Sequence, residues 1–263
     1  MLVLGGSTPL VRATTSDRNL QNIPKQAERG DTASVRGAFI PDNGMFTKMD
    51  QSQAELRILA ELSQDKEMLS VFSRDEDIHG RVVQATGLTR TLAKNLNFGI
   101  MYGGDVQTIA NFLHMADTSA VQTLLDLYIE LFPDAWQWLL NQEEYGMEHG
   151  VVYTRKGRPL RLPVEQGEKH LRNCSRNYPI QGTAFECMAD VMMDPGINGM
   201  VDITRLQIHD ELIFDGNIRI EGMEYNVTKS AKEGCPTYDV KGRLAWLSGF
   251  YLPLEVQQVE RWG

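Results

Sequence analysis

The sequence predicts an α+β fold in which a strand-bearing platform is interrupted by a helical insertion. Three observations predict it. Short apolar stretches near both ends of the sequence read as strands. The stretch between them carries a succession of helical patterns. A tight polar turn, His209-Asp210-Glu211, separates two apolar runs.

Residues 1–35 are rich in turn and polar residues, with Gly5-Gly6 and Pro24 as breakers. Residues 36–40 and 45–49 read as strands around a turn at Pro41-Asp42-Asn43-Gly44. Ala54, Leu56, Ile58, Leu59 and Leu62 support a helix over 52–62. Two more helices cover 78–86 and 89–102, the second with Thr89 as N-cap and Gly103-Gly104 as its stop. Residues 106–148 read as mostly helical, and 181–193 as another helix. Residues 203–208 and 212–214 read as strands joined by the polar turn. No internal repeat or low-complexity linker is visible.

The composition is that of a globular protein of 263 residues, enough for one sizeable core or two modest subdomains. No apolar run approaches the roughly 20 residues that span a bilayer. Met1-Leu2-Val3-Leu4 is too short for the apolar region of a signal peptide, so a cytoplasmic setting is expected, with no membrane partner. The three cysteines, Cys174, Cys187 and Cys235, form no C-x-x-C pair, which argues against a disulfide framework or a structural zinc site. The net charge of −9 disfavours a nucleic-acid binder on the sum alone. Its distribution says more. Arg155, Lys156, Arg158, Arg161, Lys169, Arg172 and Arg176 form a basic stretch against only Glu165 and Glu168, while acid gathers elsewhere, as in Asp75-Glu76-Asp77.

Three segments carry candidate chemistry. Asp50 follows an apolar strand and precedes a helix; taken alone, it reads better as an ordinary N-cap. His209-Asp210-Glu211 sits at the tip of a hairpin; alone, it reads as a polar turn. A hairpin packed beside the Asp50 strand would bring Asp50 and Asp210 together, and a divalent cation would relieve their repulsion. Mg²⁺ prefers one or two carboxylates plus substrate phosphates, and two such ions about 4 Å apart stabilise an in-line displacement. Third, Arg90, Lys94, Phe98 and Tyr102 recur every four residues and line one helix face. Two cations followed by two aromatics suit a nucleoside triphosphate, but the spacing alone favours a solvated amphipathic helix whose aromatics enter the core.

In this order, the three segments resemble motifs A, B and C of the family A (DNA polymerase I type) DNA polymerases: D-Y-S-Q-I-E-L-R, R-x-x-x-K-x-x-x-F-G-x-x-Y-G and V-H-D-E. Further stretches agree. Ser16-Asp17-Arg18-Asn19-Leu20-Gln21-Asn22-Ile23-Pro24 resembles S-D-P-N-L-Q-N-I-P, and Asp77-Ile78-His79 matches D-I-H. Residues 154–163 resemble T-x-x-G-R-R-R-x-x-P, and 177–184 resemble N-x-P-x-Q-G-T-A-A. Leu252-Pro253-Leu254-Glu255-Val256 and Trp262 resemble the family's closing strand.

The resemblance implies a right-hand polymerase fold with an antiparallel palm sheet and a helical fingers insertion. Residues 1–63 and 169–263 would be palm, and 64–168 fingers. The activity would be template-directed DNA synthesis, with two Mg²⁺ ions as cofactors and primer-template DNA and dNTPs as partners. Asp50 and Asp210 would hold the metals, with Glu211 accessory. Lys94 would contact the triphosphate and act as general acid, and Arg90 and His79 would also hold phosphates. Phe98 would pack on the incoming nucleotide and Tyr102 would sit at the fingers hinge. Glu55 would exclude a ribose 2′-hydroxyl. Arg12, Asn19, Gln21, Asn177, Gln181 and His209 would touch primer and template.

The sequence departs from the family pattern in places. Gln51 stands for the usual tyrosine, Arg18 and Pro159 for a proline and an arginine, and Asn173 for an arginine near the primer, where Arg172 or Arg176 is a candidate substitute. Residues 216–250 match poorly and read as a variable insertion. Family members carry a thumb, and often an exonuclease domain, before the Asn19-Leu20-Gln21-Asn22 segment. Here the expectation is that both are absent and that a separate polypeptide supplies them, as in a split phage polymerase, or that the sequence is a fragment. Competing readings are RNA polymerase or reverse-transcriptase activity, and a non-catalytic polymerase-like DNA-binding subunit. A metal-dependent nuclease would use paired acids without needing the Arg90–Tyr102 face.

Overall fold

The computed structural model describes residues 23, 35–220, 224–229, 237–241 and 252–262. Strand β1 (Phe46–Gln51) leads into seven helices: α1 (Ala54–Ser63), α2 (Lys66–Ser73), α3 (Ile78–Thr86), α4 (Arg90–Met101), α5 (Val106–Leu113), α6 (Thr118–Leu131) and α7 (Pro133–His149). A hairpin of β2 (Val151–Tyr153) and β3 (Pro159–Arg161) follows, then α8 (Glu168–Met193) and the short α9 (Pro195–Asn198). Strands β4 (Thr204–Ile208), β5 (Glu211–Asp215), β6 (Glu224–Lys229), β7 (Thr237–Lys241) and β8 (Leu254–Val259) come last. The described residues divide into two compact units: Glu55–Thr183, and the described stretches that flank it.

The flanking unit is built on a six-stranded antiparallel sheet in the order β4-β5-β1-β8-β7-β6. Successive strand residues point to opposite faces, and β1 shows why this matters. Met49 pairs with Leu212 on one side and Val256 on the other, and all three enter a core with Met188 and Val191 of α8 and Ile197 of α9. Phe46, on the opposite face, packs with Ile208, Ile213 and Trp262. Each such side chain contributes roughly 1.5–3 kcal/mol by leaving water.

The Glu55–Thr183 unit is helical apart from the β2–β3 hairpin. Its helices begin where short polar side chains can occupy free N–H groups. Asp65 serves two helices at once. One of its oxygens accepts from Met68 N at 2.9 Å to cap α2, and the other accepts from Asp134 N and Ala135 N, both at 3.1 Å, in the first turn of α7. Glycine sets the spacing between α7 and α8: a Cβ at Gly146 would run into Ser175 and Leu162. Among the described residues no helix is long and apolar enough to cross a membrane.

The α+β expectation holds, with three differences in detail. Residues 36–40 do not form a strand: Val35–Ala38 is a single 3-10 turn. Arg36 turns inward over the Trp262 ring, 4.5 Å from its centroid, and Trp262 N donates to Phe39 O at 3.2 Å, so the segment docks on Trp262 instead of pairing. Helix α8 begins thirteen residues before the expected 181, at Glu168, and carries Pro179 inside it. Proline lacks an N–H but its φ suits a helix, and Thr183 Oγ1 bonds back to Pro179 O at 2.7 Å. Within 216–250, β6 and β7 extend the sheet beyond β8.

Candidate active site

Register puts three carboxylates in a row on the sheet. Asp50 of β1 lies directly opposite Glu211 of β5 and Glu255 of β8. Opposed residues in antiparallel strands project to the same face, so the three share one. Lys48, two residues back on that face, bonds to Glu211 at 3.0 Å, with 17% and 5% of the two side chains exposed. Glu211 is thereby neutralised by a neighbour, as a buried carboxylate must be. Ser52 Oγ donates to Glu255 Oε1 at 3.0 Å.

Asp210 joins this row through the backbone. Ile208 pairs with Glu211, which leaves His209-Asp210 as a two-residue turn. Gln51 N donates to Asp210 O at 3.0 Å, tying the turn to the end of β1 one residue after Asp50. His209 has φ +54°, a left-handed conformation that glycine ordinarily supplies at the first position of such a turn. A histidine held there is the kind of local strain that gathers at functional sites.

The second constellation lies in the Glu55–Thr183 unit. Thr89 caps α4 by accepting from Leu92 N at 3.4 Å. Arg90, in the first turn, makes two bonds to Asp77, Nε to Oδ2 at 2.6 Å and Nη2 to Oδ1 at 3.2 Å. Burial would raise the Asp77 pKa, but the Arg90 bonds and charge outweigh it and hold the carboxyl below its usual range. Further along α4, Lys94 Nζ stands 5.8 Å from the Phe98 ring centroid, and Phe98 stacks on Tyr102 at 5.8 Å. The Tyr102 hydroxyl donates to Glu55 Oε2 at 2.7 Å. His79 packs 6.1 Å from Phe98 and contacts Asn97. Burial foremost, then the charges of Arg90 and Lys94, push the His79 pKa down to about 4 against the opposing pull of Asp77, so its imidazole is neutral at pH 7.

The structure therefore brings Asp50, Asp210 and Glu211 together on the sheet, and Arg90, Lys94, Phe98, Tyr102, His79 and Glu55 together around α4. Asn177 and Gln181 lie one turn apart on α8, on one helix face. Asn177 Oδ1 is buried without a hydrogen-bond partner. Arg12, Asn19 and Gln21 lie outside the described residues. Sequence reasoning missed Lys48, Glu255, Asp77 and Asn97 as members of these networks. Lys48 was readable from the period-2 spacing to Asp50, and Asp77 from its position just before a helix. Glu255 depends on the non-local β1–β8 register, and Asn97 on the packing of α3 against α4.

Comparison with known proteins places the sequence and the fold. The model of DNA polymerase family A matches residues 7–233. The chain is 34% identical over 226 residues to the thermostable DNA polymerase I of Thermus aquaticus, covering 80% of this chain and 27% of that protein. It is 32% identical over 240 residues to DNA polymerase I of Deinococcus radiodurans, covering 84% and 25%. The chain thus spans about a quarter of the length of the curated relatives it matches. Its fold matches the POL domain of Pol1 from M. smegmatis, solved in complex with DNA primer-template and dNTP. That match has a TM-score of 0.74 at 24% identity and covers 95% of this chain and 46% of the other. By the family model and by these relatives, the chain belongs to DNA polymerase family A.

Proposed function

We propose that this chain catalyses template-directed DNA synthesis, transferring a nucleotide from a dNTP to a primer 3′ end. The observation that carries the reading is the pairing of Asp50 at the end of β1 with the His209-Asp210 turn through the Gln51–Asp210 bond. In this reading the sheet unit acts as palm and the helical unit as fingers.

Asp50 and Asp210 are the residues that would hold divalent metal. Among the described residues no three or more His, Cys, Asp or Glu form a metal cage. Two carboxylates completed by substrate phosphates is the donor set Mg²⁺ favours, so the pair fits the ion. When bound, two such ions activate the attacking oxygen and steady the leaving group. The primer 3′-oxygen forms a bond to the α-phosphorus as the bond to the bridging oxygen of pyrophosphate breaks, and the hydroxyl proton passes to solvent. Lys94 supplies positive charge and a proton to the departing pyrophosphate, and Arg90 and His79 supply further phosphate donors. Phe98 and Tyr102 offer rings to base and sugar, and Glu55 excludes the 2′-hydroxyl of an rNTP. His209, Asn177 and Gln181 contact primer and template.

Primer-template DNA and dNTPs as substrates are supported by what the M. smegmatis Pol1 domain holds. A net charge of −9 limits electrostatic grip on DNA, which supports a second polypeptide sharing that grip. Primer extension with Mg²⁺ and dNTPs, wild type beside Asp210→Ala, tests the reading. Extension is expected from the wild type alone, and equal extension by both proteins would contradict it.

A further inference from the structure

His79 and Asn97 face each other inside the helical unit. His79 is 4% exposed and Asn97 is fully buried. Asn97 Nδ2 donates to Ala93 O at 3.1 Å, one turn back on α4, and stands 2.9 Å from His79 Nδ1. The Ala93 carbonyl fixes which way the amide points. Reversed, the Asn97 oxygen would press on another acceptor. With the amino group facing His79, Nδ1 must accept, and so it carries no proton. A neutral imidazole has one N–H, and here that leaves Nε2 as its site.

We propose that Asn97 is a positioning residue that holds His79 as the neutral Nε2–H tautomer, presenting one uncharged N–H donor to the triphosphate of the incoming nucleotide. The nucleotide half rests on the polymerase reading; the tautomer half does not. The charged groups acting on His79 agree. Arg90 and Lys94 of α4 oppose a second proton, Asp77 at the start of α3 favours it, and burial opposes it most strongly. A second proton would also have to sit on Nδ1, pointing at the Asn97 amino group. An imidazolium beside two cations would be repelled by both, whereas a neutral donor adds a phosphate contact without adding charge.

Nitrogen-15 NMR of the imidazole in the whole chain tests this, with His79→Gln assigning the signal among the five histidines. At pH 7 the wild type is expected to show a protonated Nε2 and a bare Nδ1, unchanged down to pH 5.5. A protonated Nδ1 at pH 7 overturns the proposal, and that wild-type result decides it even where a variant fails to fold. Asn97→Asp offers Nδ1 an acceptor instead. It is expected to move the proton to Nδ1 and raise the titration of His79. In primer extension the same variant is expected to raise KM for dNTP about tenfold at pH 8 while kcat changes far less. A KM unchanged although the tautomer has switched overturns the triphosphate role and leaves the polymerase reading standing.

Discussion

The Tyr102 hydroxyl donates to Glu55 Oε2 across 2.7 Å, joining the C-cap of α4 to the first turn of α1. The bond fixes the carboxylate beside a ring that is itself stacked on Phe98 at 5.8 Å. A rigid carboxylate at that point can refuse a 2′-hydroxyl by both shape and desolvation. Glu55→Ala is expected to lower the dNTP-over-rNTP ratio of kcat/KM by roughly 100-fold. Tyr102→Phe keeps the ring, removes this hydrogen bond, and is expected to cost about 1 kcal/mol of stability with a smaller loss of selectivity. An unchanged ratio in Glu55→Ala would remove Glu55 from nucleotide selection.

Asp77 serves two helices at once. It accepts from His79 N at 3.2 Å to cap α3 and takes two bonds from Arg90 of α4. Asp77→Asn is expected to cost roughly 1–2 kcal/mol at pH 7, read as a lower Tm. The pH sign follows from the depressed pKa of Asp77. Its contribution is full above the unfolded-state pKa near 4 and is lost as pH falls through the lower folded value. The Tm gap between wild type and Asp77→Asn should therefore shrink in strong acid, and a gap constant with pH would show that the charge plays no part.

Lys48 and Glu211 form a nearly buried pair at the centre of the sheet. Removing one partner leaves the other charge uncompensated. Lys48→Met is expected to destabilise by roughly 3–5 kcal/mol in urea unfolding, and adding Glu211→Gln should recover most of that. If the double variant is no more stable than the single one, Lys48 acts through something other than the Glu211 charge.

Local signals made much of this molecule legible in the sequence. Helix α3 was readable to the residue and α4 to within one residue at each end because their caps are local: Asp77 and Thr89 at the starts, and Gly87 in the left-handed conformation between them. The four-residue spacing from Arg90 to Tyr102 placed these side chains on one helix face, and only the resemblance to motif B made that face a candidate for nucleotide binding. What the sequence hid is non-local. Pro179 lies just before the expected helix start at 181, yet α8 runs straight through it, packed closely at Gly146 and against the hairpin at Gly182. The row Glu211–Asp50–Glu255 joins strands separated by some 160 and 200 residues, and only register reveals it. Arg36 reads as a strand residue until Trp262 is brought up against it.

The most direct test of the central claim is single-nucleotide incorporation on a primer-template with Mg²⁺, comparing the wild type with Asp50→Ala and Asp210→Ala, each checked for folding and for DNA binding. Incorporation is expected from the wild type, with a loss of at least roughly a thousandfold in either variant and DNA binding retained. Incorporation that survives both substitutions, or a folded wild type that binds DNA and dNTP yet adds no nucleotide, would contradict it.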